Sequence, residues 1–377
     1  MSRIYGSSEL FLTYFRFSVV LKDSDKLVFA LLRKSLDVEY EIDSRLLVSA
    51  DWGAVFDMCV THGVAGVCFG AVESLPKGCR PGVEVLMRWI GHCAHLESCY
   101  EGHLRTVRQL AGFFAGHGIR TMLMKGYGLS LCYPVPNRRQ SGDIDVFLSD
   151  GERADELIKG LGIAVKQNEE KHSTYFYGGV HVENHASVVC ELEHGSLAGV
   201  ERFLEEELGN SSSLDARSGC YLPSAMFNAV FLPLHLGGHF VFGGACLRQV
   251  VDYALAVRCA SVGEIDWERV RSLAVEGGYW GFVCCLNGIC VDYLGIPEGC
   301  FPKWGRDVRL ESRVLDEILY ARDDEAVSLA GKVLRYINSR WRYNLVYGRE
   351  SHIVGFFRRV RSWLIWKWGI GRNNVWD

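Results

Sequence analysis

The feature that most constrains this chain is a change of period near its first third. From Val83 to Gly116, apolar residues (Leu86, Trp89, Ile90, Cys93, Leu96, Tyr100, Leu104, Val107, Leu110, Ala111, Phe114) recur at helical spacing. That is one buried stripe on a long helix or on two abutting ones. His117-Gly118 ends it, glycine suiting the left-handed turn past a helix end. From Ile119 the pattern becomes that of short strands: IRTMLM (119–124), DIDVFLS (143–149), then TYFYG and VHVENHASVVCEL around Gly178-Gly179, a hairpin signal. Between them, Lys125-Gly126 opens a short helical segment to about Tyr133, and GERADELIKGL (151–161) has helical character. After Pro223 helical periodicity returns to the end. The order predicts an α+β protein: a small mixed-sheet core over 111–220, flanked by a helical region 1–110 and a helical region 221–377 with a basic aromatic tail.

Composition narrows the class. With 49% hydrophobic and 23% charged residues the chain belongs with folded soluble proteins and has ample apolar material for a core. A net charge of −4 argues against generic coating of nucleic acid. Charge is uneven, however: from Arg335 onward nine Lys/Arg face two acids. In that tail Ile353, Phe356, Phe357, Val360, Trp363 and Leu364 fit one helical face, with Arg358, Arg359 and Arg361 off it. Such a helix docks on the protein's own acidic body, lies on anionic lipid as a peripheral contact through 350–377, or touches nucleic acid; the three readings stay open.

Fourteen Cys are scattered with no second pair at zinc-finger spacing. The first twenty residues lack the basic-then-apolar order of a secretory leader, so the expectation is free thiols in a reducing, cytoplasmic setting. Residues 225–246 carry no acid, Lys or Arg over 22 positions, long enough to cross a bilayer. Pro233, four glycines, Asn228 and two histidines in the run instead predict a pair of buried helices broken near Gly237-Gly238, and no transmembrane segment.

The chemistry concentrates at Gly142-Asp143-Ile144-Asp145-Val146-Phe147. Side chains on a strand alternate faces, so Asp143 and Asp145 point one way while Ile144 and Val146 face the core. Two carboxylates held together repel unless a cation lies between them, and hard oxygens on a rigid strand suit Mg²⁺ or Mn²⁺. A third acid comes from the hairpin, where Glu183 shares a face with His181 and His185, opposite Val180 and Val182. Antiparallel neighbours in a small sheet bring Glu183 beside the Asp pair. A D-x-D on an exposed strand is often only a solvated face. The context counts against that here: a strand runs into Lys125-Gly126 and a helix start, where free N–H groups favour phosphate. Arg138 and Arg139 stand just before the Asp pair, placed to grip phosphate oxygens.

The run LMKGYGLSLCYPVPNRRQSGDIDVFL resembles the uncharacterised nucleotidyltransferase family of the polymerase-β-like superfamily. Its members show an L-K-G stretch, a Tyr-Pro, and an Arg shortly before D-I-D, matched here by Lys125-Gly126, Tyr133-Pro134, Arg139 and Asp143/Asp145. KHSTYFYGGVHVENH is similar to the family's second block and maps His172, Glu183 and His185; a helical block from Phe227 maps His235, His239, Arg248 and Asp252. The resemblance implies a nucleotidyltransferase core, an NTP and an acceptor as partners, and Mg²⁺ or Mn²⁺ held by Asp143, Asp145 and Glu183. It also implies Lys125, Gly126 and Arg139 on phosphate, with His172 and His185 orienting a carboxylate or meeting substrate.

Two departures stand out. Gly126-Tyr127 replaces the usual Gly-Ser or Gly-Gly, and the interval from Gly126 to Asp143 is long. His235 and His239 sit one helical turn apart, but no acid completes H-E-x-x-H, so they are expected to pack a helix over the cleft. Arg248 and Asp252, at i and i+4, suggest a helix-surface ion pair, with a role facing the nucleotide as the alternative. Two other readings of the whole chain remain beside transfer of a nucleoside monophosphate with release of pyrophosphate. One is a non-catalytic nucleotide- or partner-binding protein on the same fold; the other is an accessory protein acting through its basic tail.

Overall fold

A computed structural model gives the fold and describes residues 21–168, 172–189, 195–320 and 340–348. The first twenty residues and the basic aromatic tail at 350–377 lie outside the described residues. The helices before the sheet are α1 (Asp23–Leu36), α2 (Ser44–Val48), α3 (Trp52–Thr61), α4 (Ala65–Ser74) and α5 (Val83–Ala115). The central part comprises β1 (Thr121–Leu123), α6 (Tyr127–Ser130), β2 (Ile144–Leu148), α7 (Gly151–Gly160), β3 (Lys166–Asn168), β4 (His172–Tyr177) and β5 (Val180–His185). Then follow α8 (Ala198–Asn210), α9 (Ala225–Phe242), α10 (Leu247–Cys259), α11 (Trp267–Glu276), α12 (Trp280–Leu294) and α13 (Val308–Tyr320). Local chemistry starts many of these helices. Asp43, Asp51, Asp150, Ser224 and Asp266 each accept a backbone N–H of the first turn, satisfying a donor the helix cannot.

The stripe read from Val83 to Gly116 is one helix of 33 residues, and it joins the two halves of the interior. Trp89 and Cys93 near its start belong to the larger core shared by the flanking helices. Leu104, Val107, Leu110 and Phe114 nearer its end pack on Ile144, Val146, Leu148 and Val182 of the sheet.

The five strands run in the order β1-β2-β5-β4-β3. Gly178 and Gly179 have φ of 58° and 83°, which a two-residue hairpin turn demands and which glycine adopts without penalty. The hairpin inserts β5 between β4 and β2. As a result β5 runs parallel to β2, not antiparallel as expected from the chain order, while the remaining pairs are antiparallel. The alternation holds: Ile144, Val146 and Val182 face α5, while Asp145 and Phe147 occupy the opposite face.

The apolar run from Ala225 is a single helix, not a broken pair. It continues through Gly237-Gly238 to Phe242 and ends at left-handed Gly243 (φ 82°). Gly237 serves packing: a Cβ there would lie 2.7 Å from Val346 Cγ1. The helix is long and apolar enough to span a membrane by composition, but 61% of it is buried inside the protein.

Candidate active site

The site forms where β2 and β5 lie side by side. Asp145 and Glu183 are register partners across this parallel pair, so their side chains emerge on the same face. Asp143 sits at the bend just before β2. Ligand atoms of Asp143, His181 and Glu183 lie within 4.8 Å of one another, and so do those of Asp145, Glu183 and His185.

Asp145 is the buried centre of the cluster, 3% exposed. Its Oδ1 receives Lys125 Nζ at 2.7 Å and His185 Nε2 at 3.0 Å. Burial alone would raise its pKa, but the Lys125 charge and the His185 hydrogen bond more than offset this and hold the carboxyl well below the usual range. Glu183 divides its two oxygens between the histidines: Oε1 is 4.0 Å from His181 Nδ1 and Oε2 is 3.6 Å from His185 Nε2. His172, across from His185 on β4, lies against it at a tilt, with ring centroids 5.6 Å apart.

The chain passes from β1 into Lys125-Gly126 while Met124 N–H donates to Asp145 O at 3.1 Å, so Lys125 is delivered directly to the acids. Gly126 takes φ 60° and ψ −115°, a region nearly closed to other residues. A Cβ there would approach Ser141 Oγ at 3.2 Å and Asp143 O at 3.6 Å. Its need for glycine follows from that backbone conformation, with the segment that carries Asp143 in contact beside it.

Arg139 and Arg138 are both engaged by acids, and Arg139 also lines the cavity in front of the site. Arg139, 6% exposed, donates from Nε and Nη2 to the two oxygens of Asp252 at 2.7 Å each, and Tyr133 Oη donates to Asp252 Oδ1 at 2.6 Å. Arg138 is shared between Glu73 and Glu97. Asp252 thus pairs across the fold and not with Arg248 on its own helix. The long interval between Gly126 and Asp143 has a structural use: its Tyr133 and Arg139 bolt the sheet to α10. Arg248 instead reaches the Gln140 carbonyl through Nη1 at 3.0 Å, and its buried Nε has no partner among the described residues.

A cavity of about 450 Å³ opens in front of the acids. Lys125, Asp143, Asp145, Glu183 and His185 line one side; Phe231, His235 and His239 of α9 and Arg248 of α10 line the other. Burial, then the nearby Lys125 charge, pushes both His235 and His239 below the usual histidine value, so the rings face the cavity neutral at pH 7. Carboxylate oxygens and imidazole nitrogens converge in two groups of three, Asp143 with His181 and Glu183, and Asp145 with Glu183 and His185, and each donor set fits a divalent metal. Two groups carry more of the site than sequence reasoning assigned to them. His181 was placed on the Glu183 face without a role, and the alternation that put it there was the available signal. Arg248 faces the cavity, the alternative to a helix-surface pair with Asp252, and no local pattern marks Asp252 as belonging to Arg139.

A small mixed sheet with Asp residues from one strand, a Glu from its parallel neighbour, and a helical wall across a nucleotide-sized cavity defines the nucleotidyltransferase class. The chain belongs to the uncharacterised nucleotidyltransferase family, whose sequence profile matches residues 48–295. Among proteins of curated function, none matches it.

Proposed function

We propose that the protein transfers a nucleoside monophosphate from an NTP to an acceptor hydroxyl or phosphate and releases pyrophosphate. The observation that carries this reading is the convergence of Asp143, Asp145 and Glu183 on one wall of a cavity whose other side presents Arg248 and two neutral histidines. In the reaction the acceptor oxygen bonds to the α-phosphorus, the α–β bridging bond breaks, and its electron pair leaves with pyrophosphate. Bound divalent cations would supply charge stabilisation of the attacking and leaving oxygens. Asp143 and Asp145 would hold them, and Glu183 would complete the metal site or take the acceptor's proton. Lys125, 2.7 Å from Asp145, is the charge that would meet the triphosphate. Arg248 grips phosphate in the place Arg139 was expected to fill, having an unpartnered buried Nε. His185 Nε2 stands 3.0 Å from Asp145 Oδ1.

The test uses full-length protein, each NTP labelled at the α-phosphorus, and cell extract as acceptor source, with Mg²⁺ or Mn²⁺. Labelled product and pyrophosphate are expected from wild type and neither from Asp143→Asn or Asp145→Asn. Nucleotide binding with no pyrophosphate under any condition would instead make this a binding protein.

A further inference from the structure

We infer that His181 and His185 are direct ligands of the bound cations, one on each, and that the site therefore prefers a divalent transition ion to Mg²⁺. This rests on the nucleotidyl-transfer reading and adds the identity of the ligands and the class of metal. The carboxylates alone do not require it; the strand does. On β5 the alternation sends His181, Glu183 and His185 to the same side, so Glu183 stands between two imidazoles. Its Oε1 is the oxygen near His181 Nδ1 (4.0 Å) and its Oε2 the one near His185 Nε2 (3.6 Å). Asp143 completes the first group of three and Asp145 the second. The arrangement is two three-donor sets sharing one carboxylate, each with two acids and one ring nitrogen.

Mg²⁺ demands oxygen donors and gives up water reluctantly, whereas imidazole nitrogen suits first-row transition ions. A site built for Mg²⁺ gains nothing from a histidine in each set. His185 Nε2 and Lys125 Nζ meet on the same Asp145 oxygen, so the imidazole nitrogen already lies against the carboxylate that would share its cation. Ligation needs the Nε2 lone pair, with the ring proton on Nδ1. The tilted His172 ring, 5.6 Å from His185, limits how that ring can turn.

The experiment titrates full-length protein with Mn²⁺ alone, followed by electron paramagnetic resonance, and then competes it with Mg²⁺. Pulsed measurement on the wild type reads whether nitrogen is bonded directly to Mn²⁺, and needs no variant to fold. Expected are two Mn²⁺ per chain, directly bound imidazole nitrogen, and displacement by Mg²⁺ only in large molar excess. His181→Asn and His185→Asn each remove one nitrogen signal and weaken Mn²⁺ roughly tenfold or more, at least what loss of an outer partner of a ligand costs. Mn²⁺ bound without direct nitrogen, and displaced by Mg²⁺ at equal concentration, overturns the inference and leaves the histidines orienting carboxylates. Failure of either ion to bind, with or without NTP, overturns the nucleotidyl-transfer reading as well.

Discussion

Asp145 and Glu183 stand 38 residues apart in the chain yet are directly opposed on two parallel strands, each the register partner of the other. Placing two acids there works against stability, and the fold answers with Lys125 and His185 on Asp145 and a histidine on each side of Glu183. The Lys125 charge and the histidine contacts thus offset the repulsion between the two acids.

Glu183→Gln should reduce transfer to background while leaving thermal stability unchanged or higher, because it relieves repulsion between neighbouring acids. Pyrophosphate release and a melting curve on the same preparation check both halves. A fall in stability with activity kept would reverse the assignment.

Lys125→Met should tighten binding of divalent cation to nucleotide-free protein and weaken binding of NTP. Removing the Lys125 charge from its place against Asp145 removes a competitor for the same oxygen, so a tightening of roughly tenfold or more is expected. Calorimetric titration with Mn²⁺ and separately with NTP reads the two opposite shifts.

Asp252→Ala should destabilise the protein by about 3–5 kcal/mol, because it leaves the Arg139 guanidinium buried without its partner. Replacing the whole network with apolar groups, as Arg139→Met with Asp252→Leu and Tyr133→Phe, should recover most of that loss in urea unfolding. If the single variant is neutral, the link between sheet and α10 is not where stability resides.

Gly237→Ala should also destabilise. Alanine gains about 1 kcal/mol of helix propensity, but its methyl would press on Val346 Cγ1 at 2.7 Å, and overpacking costs about 1–3 kcal/mol. Combined with Val346→Ala, which makes room, the same change should become neutral or favourable.

Stability should decline as pH falls below about 6.5. Burial holds His62, His92, His103 and His235 below their usual value of 6.5, so they stay neutral in the fold. The unfolded chain takes up those protons first, near 6.5. Each such group therefore contributes stability fully present above 6.5 and lost as pH drops toward the lowered folded values. Urea midpoints at pH 7.5 and 5.5 measure the loss; equal midpoints would contradict it.

Much of this was legible because it depends on period alone. Alternation along DIDVF and VHVENH places Asp145 opposite the apolar face and groups His181, Glu183 and His185, whatever the strands pair with. The length of α5 and the Gly178-Gly179 turn follow from equally local rules. Arg139 shows where that reasoning stops. An arginine four residues before an aspartate looks like a phosphate ligand until Asp252, 113 residues later, takes its guanidinium. Gly237 likewise looks like a helix breaker until Val346 fills the space against it.

From the chain alone came the kinds of element, the faces their side chains occupy, and the three acids available for chemistry, because each is set by neighbours within a few residues. Tertiary structure decided that β5 lies parallel to β2, that Arg139 is consumed by Asp252, and that α9 and α10 close the cavity with His235, His239 and Arg248. Those are contacts between residues far apart in sequence, and no local pattern records which distant partner will satisfy a buried charge.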